Sequence, residues 1–119
     1  MNESGGEAVP IDFTRIQDTS DGDIEFEQEL FAAYLEDCVE RIERLHTALA
    51  DGDAVTFNRE AHTVKGASAN VGTTRLHEMA QALESADFAD TGTISALISD
   101  VDAEFQCVKA AIEAYLATL

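Results

Sequence analysis

Apolar residues recur at steps of three and four along most of this chain, and this spacing constrains the fold more than any other feature of the sequence. In the first long segment the repeated positions are Phe31, Leu35, Cys38, Ile42, Leu45 and Leu49. An α-helix places such residues on one face, whereas a half-buried strand needs apolar residues at every second position. No segment has the strand pattern, so the sequence predicts an all-α fold.

A polar link divides this first long segment from the next one. Residues 50–52 read Ala, Asp and Gly, and Asp53 follows them as a candidate N-cap, because its carboxylate can accept from unpaired backbone N–H groups. The next helix is expected over about residues 54–71. Its apolar stripe comprises Phe57, Ala61, Val64, Ser68 and Val71.

Two more helices complete the pattern. Gly72 ends the helix over 54–71, and Thr73 or Thr74 is expected to cap the next one, which fades near Phe88. A link over residues 90–93 leads to the last helix. The apolar residues of that helix are Leu97, Ile98, Val101, Phe105, Val108, Ile112, Tyr115 and Leu116.

Four amphipathic helices with short links predict an antiparallel four-helix bundle, because this arrangement buries all four apolar stripes at once. Residues 10–16 carry three spaced apolar side chains and predict a short N-terminal helix that covers one end of the bundle. Residues 1–9 are polar and are expected to form a disordered tail. The folded domain should therefore span residues 10–119, a length typical of a single domain.

The charge balance excludes two classes of partner. The chain has 24 acidic residues against 7 Lys and Arg, which gives a formal net charge of -17. Such a surface repels nucleic acid and anionic membranes. No apolar run approaches a membrane span, and the N-terminal residues lack the basic start and apolar stretch of an export signal. A cytoplasmic protein is expected, and a monomer. Cys38 and Cys107 are far apart and are predicted to be buried free thiols.

One histidine stands apart from the apolar stripe of its helix. At ~100° per residue, His62 lies almost opposite Phe57, Val64 and Val71, so it should face water or a groove. Gly66 follows one turn later, although glycine inside a helix costs about 1 kcal/mol relative to alanine. Its missing side chain leaves the imidazole ring open to a partner.

Positive charge collects around this histidine. Residues 54–75 contain Arg59, Lys65 and Arg75 against a single acid, Glu60. In a strongly acidic chain, such a region suits a phosphoryl group or an acidic partner surface.

The run from residue 62 to residue 72, HTVKGASANVG, resembles the signature of histidine-containing phosphotransfer (HPt) domains. In that signature H-x-x-K-G is followed by a pair of small residues and an apolar residue before glycine. Ala61 and the downstream pair Leu83 and Glu84 also fit the family, and the resemblance covers about residues 10–119. Ala67 stands where the family commonly has serine.

The resemblance implies a four-helix bundle whose histidine takes a phosphoryl group from a receiver-domain aspartate and passes it to another receiver. His62 would be the phosphoacceptor, Lys65 the electrostatic partner of the phosphoryl oxygens, and Gly66 the gap that admits the receiver. The implied partners are receiver domains of a hybrid sensor kinase and of a response regulator. The chain would need no cofactor of its own, because Mg²⁺ belongs to the receiver. It would not be an enzyme, and it has no Gly-rich loop to hold ATP.

Attack on phosphorus needs a free ring nitrogen, so the other nitrogen needs an acceptor for its proton. Glu84 is the first candidate. Glu84 comes 12 residues after Gly72, and His62 comes 10 residues before Gly72. If the two helices form a hairpin at Gly72, the two residues therefore differ by only about 3 Å in their height along the helix axes. Gln81 is the alternative. The candidate partner-binding residues near this site are Asn58, Arg59, Gly66, Ala69, Arg75 and Gln81.

Other interpretations remain open beside this one. A non-phosphorylated adaptor could bind receiver or kinase domains through the same helical face. Arg59 and Arg75 could be solvated surface residues instead of docking residues. Ser68 lies on the apolar stripe and is expected to pack there, while His46 and His77 have no comparable neighbours in the sequence. No Glu-x-x-His pair or pair of histidines one turn apart indicates a metal site.

Overall fold

The structure, a computed structural model, describes residues 10–119 as five α-helices. They are α1 (Phe13–Ser20), α2 (Ile24–Asp51), α3 (Ala54–Val71), α4 (Thr74–Ser85) and α5 (Thr91–Leu116). No strand occurs in this part of the chain, so the predicted all-α class is confirmed. The expected tail over residues 1–9 lies outside the described residues.

Aspartate side chains begin four of the helices. The carboxylates of Asp12, Asp23, Asp53 and Asp90 each accept from a backbone N–H in the first turn of the helix that follows. This bonding satisfies donors that have no partner within the helix. The predicted cap at Asp53 and the predicted bounds of α3 are both observed.

Three predicted boundaries differ from the structure, the first being that of the short N-terminal helix, which was expected over residues 10–16 and spans Phe13–Ser20. Residues 90–93 are not a link, because Asp90 is an N-cap and α5 already begins at Thr91. The fourth helix ends at Ser85 and does not reach Phe88. Thr73 occupies the N-cap position of α4, but its side chain makes no capping bond, since its hydroxyl binds the Ser68 carbonyl oxygen and the Tyr34 hydroxyl instead.

Each long helix packs against its neighbour in the chain, and α2 also contacts α5, so that the four long helices enclose one core. All five residues of the predicted α3 stripe are buried. On α2 the stripe differs in two places, since Tyr34 and Ala48 are buried where Leu35 and Leu49 are only partly covered. The hydroxyl of Tyr34 explains its position, because it bonds both Ser68 and Thr73 where α3 meets α4.

The short helix α1 lies against α2 and α3. The backbone N–H of Asp12 donates to the carbonyl oxygen of Gly72 over 2.9 Å. The Phe13 ring stacks on Tyr115 with their centroids 4.2 Å apart, and both meet Phe31 edge-on. The segment therefore joins the α3–α4 turn to the C-terminal part of α5.

The two cysteines have different surroundings. Cys38 is buried, and burial raises the pKa of its thiol to about 11. Cys107 is exposed, so the prediction of a buried thiol was wrong there. It stands one residue before the buried Val108, and a rotation of about 100° carries it off the apolar face. None of the described helices is long and apolar enough to cross a membrane.

Candidate functional site

His62 lies in the middle of α3, on the outward side of the helix. Its side chain is 67% exposed, while Ala61 and Val64 beside it are fully covered by the core. The exposure expected from the helical spacing is therefore observed. An exposed imidazole on a rigid helix can be reached by another protein without local unfolding.

The Nδ1 atom of His62 has a partner on the neighbouring helix. It lies 2.8 Å from Oε2 of Glu84, the penultimate residue of α4. Hydrogen bonds from Lys65 and then His62 hold the pKa of Glu84 below its usual value, so the carboxylate is ionised at neutral pH. An ionised carboxylate only accepts, and the bond therefore needs its proton on Nδ1.

This arrangement leaves the other ring nitrogen available. No group among residues 10–119 bonds Nε2 of His62, and in the neutral ring that nitrogen carries the lone pair. Of the two acceptors weighed from the sequence, the one beside the ring is Glu84. Gln81 is exposed on α4 and makes no hydrogen bond to His62 in the described structure.

Lys65 belongs to the same cluster, at a position the sequence did not indicate. Its Nζ atom lies 2.7 Å from Oε1 of Glu84. The ammonium group was expected beside an anion carried by the ring. In the structure it binds the carboxylate on the Nδ1 side, and its role toward a phosphoryl group stays a prediction.

Gly66 opens the surface next to this cluster. A Cβ atom built at Gly66 would meet no atom within 4 Å, so nothing inside the molecule requires glycine there. Asn58 and Arg59 are exposed on the same helix, and Ala69 is partly covered. The missing side chain therefore matters only to something that approaches from outside.

The positive region predicted around His62 is weaker than expected. Arg75 lies 3.4 Å from Glu104 of α5, and Lys65 is paired with Glu84. Arg59 has no acidic partner among the described residues and bonds only the Thr56 hydroxyl. The helical pattern did not reveal the two pairs, because their acidic partners lie on other helices.

Glu60, the one acid in that region, is buried and bonded to Arg41 of α2 over 2.9 Å. Its negative charge is thus compensated within the protein. Among the described residues, Arg59 is the one cation of this region without an acidic partner, and it stands one helical turn before the exposed imidazole.

The two other histidines have partners that the sequence did not indicate. Nδ1 of His77 donates to the carbonyl oxygen of Lys65 over 2.9 Å, which ties α4 to α3 behind the site. His46 contacts Asp102 across α2 and α5, with Nε2 2.9 Å from Oδ2. Neither contact could be found by spacing along one helix, since each joins two helices.

Within residues 10–119, no group of three or more His, Cys, Asp and Glu side chains is arranged to hold a metal ion. The cluster around His62 consists of an imidazole, a carboxylate and an ammonium group. Such a cluster can supply a nucleophilic ring nitrogen, because the other nitrogen of the same imidazole ring is held by a hydrogen bond.

Comparison with known proteins gives two matches. The family model described as the Hpt domain matches residues 29–118. The crystal structure of histidine-containing phosphotransfer protein B from Pseudomonas aeruginosa PAO1 is similar, with a TM-score of 0.83 and 26% sequence identity over 95% of this chain and 99% of that chain. A search of curated proteins gave no match.

Proposed function

The chain belongs to the Hpt domain family, whose members carry phosphoryl groups and are not enzymes in their own right, and from this premise we propose its place in a two-component phosphorelay. His62 accepts a phosphoryl group from the aspartate of one receiver domain and gives it to the receiver of a response regulator. The single observation that carries the proposal is the exposed imidazole ring of His62, whose Nδ1 atom is held by Glu84 and whose Nε2 atom bonds no group within residues 10–119.

In the accepting step, the Nε2 lone pair forms a bond to phosphorus, and the bond between phosphorus and the aspartate oxygen breaks. The electron pair of that bond returns to the aspartate carboxylate. The ring becomes an N-phosphoimidazolium ion that keeps its Nδ1 proton, and its positive charge faces Glu84 at 2.8 Å. Donation is the reverse: the N–P electron pair returns to Nε2 as a second aspartate binds phosphorus.

Glu84 supports both directions of transfer. An acceptor fixed on Nδ1 selects the tautomer with a free Nε2, and its negative charge stabilises the positive ring that forms during transfer. No proton has to enter or leave, so the reaction needs no additional acid or base on this chain.

The open surface around Gly66 is the proposed docking site for the receiver. The residues we assign to it are Asn58, Arg59, Gly66, Ala69, Arg75 and Gln81. Arg59, which has no acidic partner within residues 10–119, offers its charge to an acidic partner surface, whereas Arg75 would have to share its charge with Glu104. Mg²⁺ would be bound by the receiver, and this chain would supply no cofactor.

The scaffold in this proposal is an antiparallel four-helix bundle that α1 covers at one end. Two contacts support the antiparallel packing of α2 against α3. Arg41 of α2 meets Glu60 of α3, and Tyr34, which comes earlier on α2, meets Ser68, which comes later on α3. We further propose that the domain acts as a monomer in the cytoplasm, where receiver domains of a hybrid sensor kinase and a response regulator would be its partners.

The experiment that tests the proposal is incubation with a phosphorylated receiver domain and Mg²⁺, followed by intact-mass measurement. We expect the mass of one phosphoryl group, lost on brief acid treatment because phosphohistidine is acid-labile. The matched control is His62→Gln, which should keep its helical circular dichroism and gain no mass. Label retained in His62→Gln would contradict the assignment.

A measurement of receiver binding beside the mass measurement identifies the alternative function. Receiver binding without any gain in mass, repeated with several phosphorylated receivers, would indicate a non-phosphorylated adaptor that uses the same helical face.

A further inference from the structure

Two cations flank His62 on α3, one on each side of the imidazole. Arg59 lies three residues before His62, and Lys65 lies three residues after it. At ~100° per residue, the two cations stand about 60° to either side of His62 around the helix axis. The Lys65 ammonium group bonds Glu84 of α4, so Arg59 stands on the side of His62 that is turned away from α4.

The two nitrogen atoms of the His62 ring point toward these two sides. Nδ1 lies 2.8 Å from Oε2 of Glu84 and therefore faces α4. Nε2 is separated from Nδ1 by the Cε1 atom of the ring, so its lone pair points away from α4. A phosphoryl group on Nε2 would thus lie on the Arg59 side of the exposed surface. Residues three apart on a helix have Cβ atoms only about 5–6 Å apart, which is within reach of an arginine side chain.

Arg59 is held weakly in the unphosphorylated protein. The residue is exposed, and its guanidinium group donates to the Thr56 hydroxyl over 3.4 Å, which is long for a hydrogen bond. The acids nearby on α3 are engaged elsewhere, since Glu60 bonds Arg41 and Asp53 accepts from the backbone N–H of Thr56. Within residues 10–119, no acidic contact therefore has to break before Arg59 can turn toward His62.

We propose that Arg59 binds the phosphoryl group of phosphorylated His62, and that it exchanges its hydrogen bond to Thr56 for charge-assisted hydrogen bonds to the phosphoryl oxygens. Such bonds are about twice as strong as neutral ones, and the planar guanidinium group can bind two oxygens at once. This role rests on the proposed function of His62 and deepens it by naming a ligand of the transferred group. The ammonium group of Lys65 keeps further donors beside the one on Glu84, so Arg59 adds to its predicted contact.

The charge of the whole chain gives a reason for such a ligand. The phosphoryl oxygens bring about two negative charges to a molecule whose formal net charge is already -17. Without a nearby cation, this repulsion favours return of the phosphoryl group to the receiver. A guanidinium group on the Nε2 side opposes that repulsion. Arg59 therefore influences how much of the phosphoryl group resides on this domain at equilibrium.

The first test uses phosphoramidate, a small donor that needs no receiver. Nε2 of His62 forms a bond to phosphorus as the P–N bond of the protonated donor breaks, and ammonia leaves with the electron pair of that bond. We expect the side-chain Nε–H signal of Arg59 to move in the NMR spectrum on phosphorylation, because a phosphoryl oxygen replaces the Thr56 hydroxyl. The signal of Arg75, which contacts Glu104 of α5, should stay. An Arg59 signal that moves no more than that of Arg75 would overturn the proposal.

The second test measures the equilibrium ratio of phosphorylated domain to phosphorylated receiver, at a dilution where the complex is not populated. A residue that only docks the receiver changes the forward and reverse rates by the same factor, so it leaves this ratio unchanged. A ligand of the phosphoryl group shifts the ratio, because it stabilises the phosphorylated domain alone. We expect Arg59→Met to lower the ratio about fivefold, as for the loss of an exposed ion pair with good geometry.

Two variants serve as controls for the ratio. Lys109→Met removes an exposed cation of α5, a helix that contacts α2 and α4, and should leave the ratio within about 1.5-fold of wild type, because exposed charges at a distance are screened. Arg59→Lys keeps a cation at the site and should stay within about twofold of wild type. A wild-type ratio in Arg59→Met, or an equal fall in Lys109→Met, would show that Arg59 does not bind the phosphoryl group.

Failure of the proposed function has a different signature. A wild-type protein that takes the phosphoryl group from phosphoramidate and from no receiver would exclude the phosphorelay function, and the NMR experiment would still test Arg59. No uptake on His62 from either donor would overturn both assignments.

Discussion

Gly72, which directly follows α3, and Gly66 within α3 are glycines for different reasons. Gly72 has a backbone φ of 90°, and a Cβ atom there would lie 2.7 Å from the Asp12 carbonyl oxygen. Both the left-handed conformation and the close approach of α1 exclude other residues. Gly66 has an ordinary helical backbone and open space around it. Its absent side chain has no internal cause, which is why we assign it to partner docking.

Substitutions at Gly66 should separate stability from function. Gly66→Ala should raise the free energy of unfolding by up to about 1 kcal/mol, since alanine is the better helix former and its methyl group meets no atom. Gly66→Trp should slow transfer from a receiver on the order of 100-fold, because a bulky group displaces the reacting atoms. Urea unfolding and transfer rates measure the two effects. Wild-type transfer by Gly66→Trp would refute the steric argument.

The lowered pKa of Glu84 predicts how stability depends on pH. Because hydrogen bonds from Lys65 and His62 favour the ionised form, the contribution of Glu84 is present above its ordinary pKa of 4.5 and is lost as the pH falls through the lowered value. Glu84→Gln should therefore be less stable than wild type at neutral pH, and the difference should shrink on acidification. Thermal unfolding of both proteins between about pH 7 and pH 3 measures it. A difference that does not change with pH would contradict this assignment.

At the scale of helices, Tyr34 connects three elements through one hydroxyl group. It lies on α2 and bonds Ser68 on α3 over 3.0 Å and Thr73, just before α4, over 2.8 Å. All three residues are buried, and burial raises the pKa of the tyrosine, so the hydroxyl stays protonated. The network fixes the turn at which α3 and α4 meet, and with it the relative height of His62 and Glu84.

Removal of that hydroxyl should destabilise the protein without abolishing chemistry at the exposed site. We expect Tyr34→Phe to lower the free energy of unfolding by about 1–2 kcal/mol, because it leaves two buried hydroxyls short of a partner. Denaturant unfolding measures the loss. Phosphorylation of His62 should remain, and unchanged stability would show that the network contributes nothing to the fold.

Elements with an uninterrupted apolar stripe could be predicted from the sequence. The bounds of α3 and its five buried residues follow from spacing and from Asp53 and Gly72 at its ends. The start of α5 could not be predicted, because Thr91 and Gly92 are weak helix formers and only the capping bond of Asp90 begins the helix there. On α2 the spacing alone could not distinguish Tyr34 from Leu35.

Some features of the candidate site could also be predicted from the sequence, and others could not. The exposure of His62 depends on position along one helix, and the sequence was sufficient for it. The Lys65 side chain is placed by an acidic residue of α4, and the charge of Arg75 is compensated by an acidic residue of α5. Such contacts between helices are set by the rotation of one helix against another, which a pattern along one helix does not contain.

At the scale of the whole molecule, the net charge of -17 opposes the folded state through self-repulsion. The described ion pairs leave most of the 24 acidic residues without a cationic partner, since the chain has only 7 Lys and Arg. Salt screens this repulsion, and the screening length falls to about 10 Å at 0.1 M.

Stability should therefore rise with salt. We expect the melting temperature to increase from low ionic strength to about 1 M NaCl at neutral pH, even though screening weakens individual ion pairs. Near the isoelectric point of about 4.1 the increase should largely disappear, since the net repulsion is small there. A melting temperature that falls with salt at neutral pH would show that the ion pairs outweigh the repulsion.

We propose that His62 takes the phosphoryl group on Nε2 because Glu84 occupies Nδ1. The most direct measurement is NMR of the phosphorylated, nitrogen-15-labelled protein, in which coupling between phosphorus and nitrogen identifies the modified atom. The structure predicts a single phosphorus signal coupled to Nε2 of His62, absent from His62→Gln. Phosphorus coupled to Nδ1, or bound to any other residue, would contradict it.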